Sequence, residues 1–183
     1  DIPYWPEYVP LSNQDLVVRY NDYNAASRQI ANHNPMYIQA IQNSYAWSSP
    51  PLDKIIVYNY KLISTEYDLQ EVYLGNFVDA NIGYRTGSGF AFSNDDYSWY
   101  YPNYRMGVSF DGEGGDDGGL YTPLAMMVVP SEDVPDEDLT WTWMVGSSSV
   151  MGDQDVDKFL QMRSGTVMRN QERPEGTHFI QCW

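Results

Sequence analysis

The chain has 183 residues, a net charge of −15, and 43% hydrophobic and 15% aromatic content; that length suits one domain, and the aromatic load excludes a disordered tail. Acidic residues run along its whole length, so a nucleic-acid backbone or an anionic membrane surface would repel it. No apolar run approaches the roughly 18 residues needed to span a bilayer, and no basic-then-apolar leader opens the sequence, which starts at Asp1 as a processed secreted protein or an excised segment would.

Residues 1–14 carry Pro3, Pro6 and Pro10 among Tyr4, Trp5 and Tyr8, the pattern of an extended arm laid on a surface by its rings. A short strand is expected over 16–20. The Asn- and Ala-rich stretch 21–34 leaves helix and loop both open. Residues 36–47 read as a long strand, stopped by Ser48, Ser49, Pro50 and Pro51. In 54–65 the period of two gathers Ile56, Tyr58, Tyr60 and Leu62 on one apolar face. The alternation over 71–79 then suggests that the two segments form an antiparallel hairpin.

Further strands are expected over 105–111, with Met106, Val108 and Phe110 on one face, and over 139–145, with Trp141 and Trp143 in the core. Residues 124–129 suit a short buried strand. Asp153 or Asp155 can cap a helix whose Val156, Phe159, Leu160 and Arg163 share a stripe, ending near Gly165. Residues 177–183 read as a last strand without a terminating signal. Sixteen Tyr and six Trp against three Lys favour β structure, and crossover helices are missing. The expected fold is therefore mainly β: an antiparallel β-sandwich, jelly-roll or Ig-like, with one short helix near 153–164. Residues 15–183 are expected to form it as a single domain, incomplete at the C-terminal end.

Several segments together resemble something known. They are Tyr4-Trp5-Pro6, SYAWSSPPLDKIIVYNYKLI at 44–63, VYLGNFVDANIGY at 72–84, DDY at 95–97, MGVSFDGEGGDDGG at 106–119 and FLQMRSG at 159–165. The set is similar to a recurring β-rich domain of large secreted surface proteins of Bacteroidota-like bacteria, of the kind exported by type IX secretion. Met162 is followed here by Arg163, Ser164 and Gly165 where that domain has a Met-Ser-Ser-Gly-like run. The resemblance implies a secreted, cell-surface location and a truncated domain, and it brings no catalytic residues.

Three constellations stand out as candidate ligand sites. Asp111, Glu113, Asp116 and Asp117 lie among five glycines, Gly112, Gly114, Gly115, Gly118 and Gly119; flexible oxygen-rich loops of this kind suit Ca²⁺, and a solvated acidic turn is the plainer reading. An EF-hand is excluded because Thr122 stands where its twelfth-position Glu would be. Asp79, Asn81, Asp95 and Asp96 offer a second oxygen set, with turn capping as the plainer reading. Tyr97, Trp99, Tyr100, Tyr101 and Tyr104 form an aromatic cluster suited to a sugar face or a protein contact.

The only histidines, His33 and His178, lack metal-ligand spacing, and no Gly-x-Ser-x-Gly elbow is present. Cys182 is the sole cysteine, read either as a small strand-core residue or as a thiol pairing with another chain or with a missing part of its own. The functional expectation is a non-catalytic extracellular structural or assembly component that contacts other protein chains of a surface scaffold, filament or layer. It needs no cofactor, with Ca²⁺ as the one ion its loops suit. The alternative is a carbohydrate-binding module that anchors a secreted protein to polysaccharide.

Overall fold

The computed structural model describes residues 8–30, 33–80, 96–111, 123–135, 142–145, 155–165, 171–172 and 177–182. Among the described residues strands dominate, with one α-helix, and the strands pair into three antiparallel sheets. The chain divides into two compact units, residues 1–71 and 72–183.

The first unit is a meander of β1 (Gln14–Asn21), β2 (Ile38–Ala46) and β3 (Ile56–Ser64), with β2 in the centre. Its register aligns Val18 with Gln42 and Gln42 with Tyr60, so these three residues share a face. Short 3-10 turns at Ser27–Gln29 and Leu52–Lys54 lie in its two connections. The second connection begins at the expected proline stop, where the Pro50–Pro51 bond is cis. The first is organised by Asp22, whose carboxylate accepts from the Met36 amide at 2.6 Å and the Ile38 amide at 2.9 Å. This resolves the stretch 21–34, within its described residues, as a loop with a single turn of 3-10 helix.

The second unit holds two sheets. In one, β4 (Gly75–Ala80) and β8 (Thr142–Val145) flank β10 (Thr177–Cys182). In the other, the order is β7 (Leu124–Met127), β6 (Met106–Asp111), β5 (Asp96–Tyr101) and β9 (Gln171–Glu172). Its core lies at the β5–β6 pair, where Tyr100 faces Gly107 and Trp99 faces Val108. Tyr100 is 3% exposed and Ser109 fully buried. The helix α1 (Asp155–Arg163) lies near β8, and its Phe159 ring meets Tyr73 edge-on at 5.5 Å. It ends at Gly165, whose φ of +63° is the left-handed geometry that suits glycine beyond a helix end.

Several expectations change. The segments at 54–65 and 71–79 do not form a hairpin: among the described residues β3 pairs with β2 alone, and β4 pairs with the distant β10. Alternation assigns faces to a strand but not its partner. The run 124–129 is not a buried strand, since β7 is an edge strand with Leu124 and Met127 exposed. On α1, Val156 and Leu160 are exposed, while Phe159 and Met162 are half-buried. Trp141, Asp153 and the arm residues 1–7 lie outside the described residues.

Candidate functional surfaces

The aromatic segment 97–104 does not present one platform. Trp99 and Tyr101 alternate with Tyr100 along β5, so their side chains leave opposite faces of the sheet. Tyr100 is buried, Trp99 half-buried, and Tyr101 and Tyr104 are 43% and 65% exposed. Tyr97 takes the register position between Phe110 and Glu172. Pro102 opens a 3-10 turn that reverses the chain at Tyr104, and Arg105 follows in the left-handed region at φ 48°. Two neighbouring rings, Tyr101 and Tyr104, are thus available to solvent at this end of the sheet.

Of the acidic loop, Asp111 closes β6 and lies directly across from Asp96 at the start of β5. Like charges at opposed positions destabilise a strand pair unless a cation stands between them. Glu113, Asp116 and Asp117 lie outside the described residues, as do Asn81 and Asp95 of the second oxygen set. Asp79 sits across from His178 on β4 and β10. Among the described residues no three His, Cys, Asp or Glu side chains converge on a point.

A third surface was legible residue by residue but not recognised as a site: one face of the β1–β2–β3 sheet. Period two places Leu16, Val18 and Tyr20 of β1 on the same side as Ile56, Tyr58, Tyr60 and Leu62 of β3. Between these rows run Ala40, Gln42, Ser44 and Ala46 of β2, all but Gln42 smaller than their neighbours. The seven large side chains are 37% to 58% exposed, whereas Ala40 and Ser44 between them are 5% and 9% exposed. No charged residue occurs on this face; Asp15, Arg19 and Lys61 all belong to the opposite one. Tyr58 and Tyr60 lie nearly parallel with centroids 6.3 Å apart, and the Tyr60 hydroxyl is pushed up in pKa by partial burial and by Tyr20 and Tyr58 beside it. Sheets ordinarily bury such a face against a second layer.

Both ends of this sheet are held in place. At one end Asp15 collects the Tyr8 hydroxyl at 2.6 Å, the Leu11 amide at 2.7 Å, the Ser12 amide at 3.0 Å and the Ser12 hydroxyl. Partial desolvation opposes ionisation of Asp15, but these four donors outweigh it and hold its pKa below the ordinary carboxylate value. The hydrogen bond to that carboxylate raises the Tyr8 pKa to about 12. At the other end Tyr37 adopts φ 57° while its ring stacks on Tyr23 at 5.5 Å and meets Tyr67 edge-on at 5.5 Å. The Thr65 amide and hydroxyl both donate to the Tyr37 carbonyl at 2.9 Å, which fixes this unfavourable backbone.

Among the described residues no helix is long and apolar enough to cross a membrane. Neither a family model, nor a curated protein, nor a solved structure matches the chain.

Proposed function

We propose that this chain is a non-catalytic extracellular assembly component, exported to the cell surface, whose first unit docks onto a neighbouring protein through the open face of the β1–β2–β3 sheet. The observation that carries this reading is the contiguous row of exposed, uncharged apolar side chains on that face. Contiguous exposed patches of this kind mark interaction surfaces more often than chance exposure. The resemblance to secreted surface proteins supports the location. In the second unit, the approach of β10 to β5 and β6 supports a sandwich in which the two sheets face each other.

The test is chemical access in the full chain. Cysteine placed by Val18→Cys should react with a maleimide at nearly the rate of a free peptide, and protease shaving of intact producing cells should release peptides of the first unit. Slow labelling of the thiol at position 18 in a monomer, or retention of all peptides inside the cell, would remove the reading.

Polysaccharide binding is a second reading, favoured by the exposed pair Tyr101 and Tyr104. Retention on insoluble polysaccharide that is lost with Tyr104→Ala would establish it. Equal retention of the Tyr104→Ala variant, or none by either protein, would discard it. Ca²⁺ is proposed at the acidic loop of Asp111, Glu113, Asp116 and Asp117, whose carboxylates among glycines suit an oxygen-liganded ion.

A further inference from the structure

The other face of the β1–β2–β3 sheet carries chemistry for a different occupant, and its rows follow from the register. Asp15, Tyr45 and Val57 lie in one row, Val17, Asn43 and Asn59 in the next, and Arg19, Ile41 and Lys61 in the third. Arg19, Val57, Asn59 and Lys61 are exposed. Arg19 and Lys61 stand about 10 Å apart across the central strand and are two of the four cations of residues 1–71. Neither is paired with a carboxylate among the described residues. Asp15, the acid of the same face, is already engaged by its four donors.

The first of these rows is where the N-terminal arm is tied down. Tyr8 donates its hydroxyl to Asp15 at 2.6 Å, and Tyr45 lies close enough to add to the rise in the Tyr8 pKa. We propose that residues 1–7 run on from this anchor across the same face, with Tyr4 and Trp5 lying over its second and third rows beside Arg19 and Lys61. Reach allows this course. The third row is four residues along the strand from the first, about 14 Å, and seven residues in the extended form that Pro3 and Pro6 favour span about 22 Å. Charge selects the face, since residues 1–7 hold Asp1 and Glu7 and no cation, while the docking face has no charge to attract them. Trp5 stands three residues from Tyr8, about 9 Å in the same form, and its indole face attracts a guanidinium or an ammonium as well. The sheet then has one face covered by its own chain and the other left for a neighbour, whatever that neighbour is.

Disulfide trapping in the full chain tests the placement. With Tyr4→Cys and Asn59→Cys together, mild oxidation should join the tryptic peptides 1–19 and 55–61 within the monomer. Tyr4→Cys with Tyr60→Cys would join the same two peptides, but position 60 lies on the docking face, so that link should form far less. Maleimide labelling gives a second readout with no thiol in the arm. Asn59→Cys should react at least about fivefold faster when Trp5→Ala is added or residues 1–7 are removed, because only chains with the arm off the face react. Val18→Cys, on the docking face, should label at one rate with and without the arm. Equal links at positions 59 and 60, links only between two copies, or labelling of Asn59→Cys indifferent to both changes in the arm would overturn the inference. Faster labelling of Val18→Cys on removal of the arm would overturn it too, by putting the arm on the docking face.

Discussion

The two units reach β structure by different routes. In the first, β1, β2 and β3 pair with their sequence neighbours, so each strand meets a partner only a loop away. In the second, β10 inserts between β4 and β8, and β9 joins β5 from some seventy residues downstream. Among the described residues the non-local unit buries the large side chains of Tyr100 and Val108, while the local unit exposes nearly all of β3. A meander of adjacent strands satisfies its backbone without needing a second layer, and so can leave an apolar face available. A sheet assembled from distant strands depends on side-chain burial to offset the entropy of closing its long loops.

The sharpest way to break this comparison is to truncate one aromatic in each unit. Tyr100→Ala should lower the unfolding free energy by about 3–5 kcal/mol, the cost of emptying a packed aromatic site. Tyr60→Ala should change it by less than about 0.5 kcal/mol in dilute protein, since a half-exposed ring on an open face loses little. Urea unfolding followed by tryptophan fluorescence measures both. Similar losses at the two positions would mean that the β1–β2–β3 face is covered in solution.

A smaller effect is expected at Gly165. A Cβ there would meet no atom within 4 Å, so Gly165→Ala tests the left-handed backbone alone. The substitution should cost about 1 kcal/mol, with Gly165→Asn costing less. Equal stability of all three proteins would show that the turn after α1 relaxes freely. Smaller again is the opposed pair Asp96 and Asp111. Without Ca²⁺, Asp111→Asn should raise stability by about 0.2–1 kcal/mol through relief of repulsion. With millimolar Ca²⁺ the same change should become neutral or harmful, and thermal unfolding with and without the ion distinguishes the cases.

How far the sequence revealed this arrangement depended on the range of each contact. The faces of β3, the proline stop at Pro50 and Pro51, and the helix ending at Gly165 were all legible, because alternation, ring constraint and glycine geometry are local. The partner of β4 was not, since Phe77 and Val78 read alike whether they pair with Ile63 or with Phe179 and Ile180. The aromatic run 97–104 misled for a related reason: composition gathers its rings, but period two separates Tyr100 from Trp99 and Tyr101. The open face lay in plain view as Ile56, Tyr58, Tyr60 and Leu62. Alternation showed that these residues share a side, and nothing in it showed that their side chains are 37% to 58% exposed.

The smallest expected effect concerns pH, and it separates the anchored edge of the first unit from its open face. Asp15 has a depressed pKa in the folded chain, so its contribution to stability is present above the ordinary carboxylate value near 4 and is lost as pH falls through the folded value. Tyr8 has a raised pKa, so its contribution is complete below about 10, the ordinary tyrosine value, and is lost as pH rises towards about 12. The bond between them therefore persists across the whole neutral range, and residues 8–13 should stay docked against β1 whenever Asp15 is ionised. Tyrosinate absorbance should show one residue titrating near 12 in the wild type. That late step should disappear in Tyr8→Phe and move back towards 10 in Asp15→Asn, because the acceptor charge that holds the proton is gone. If the late step survived Asp15→Asn, some other group would be raising the Tyr8 pKa, and the arm would not be held at Asp15.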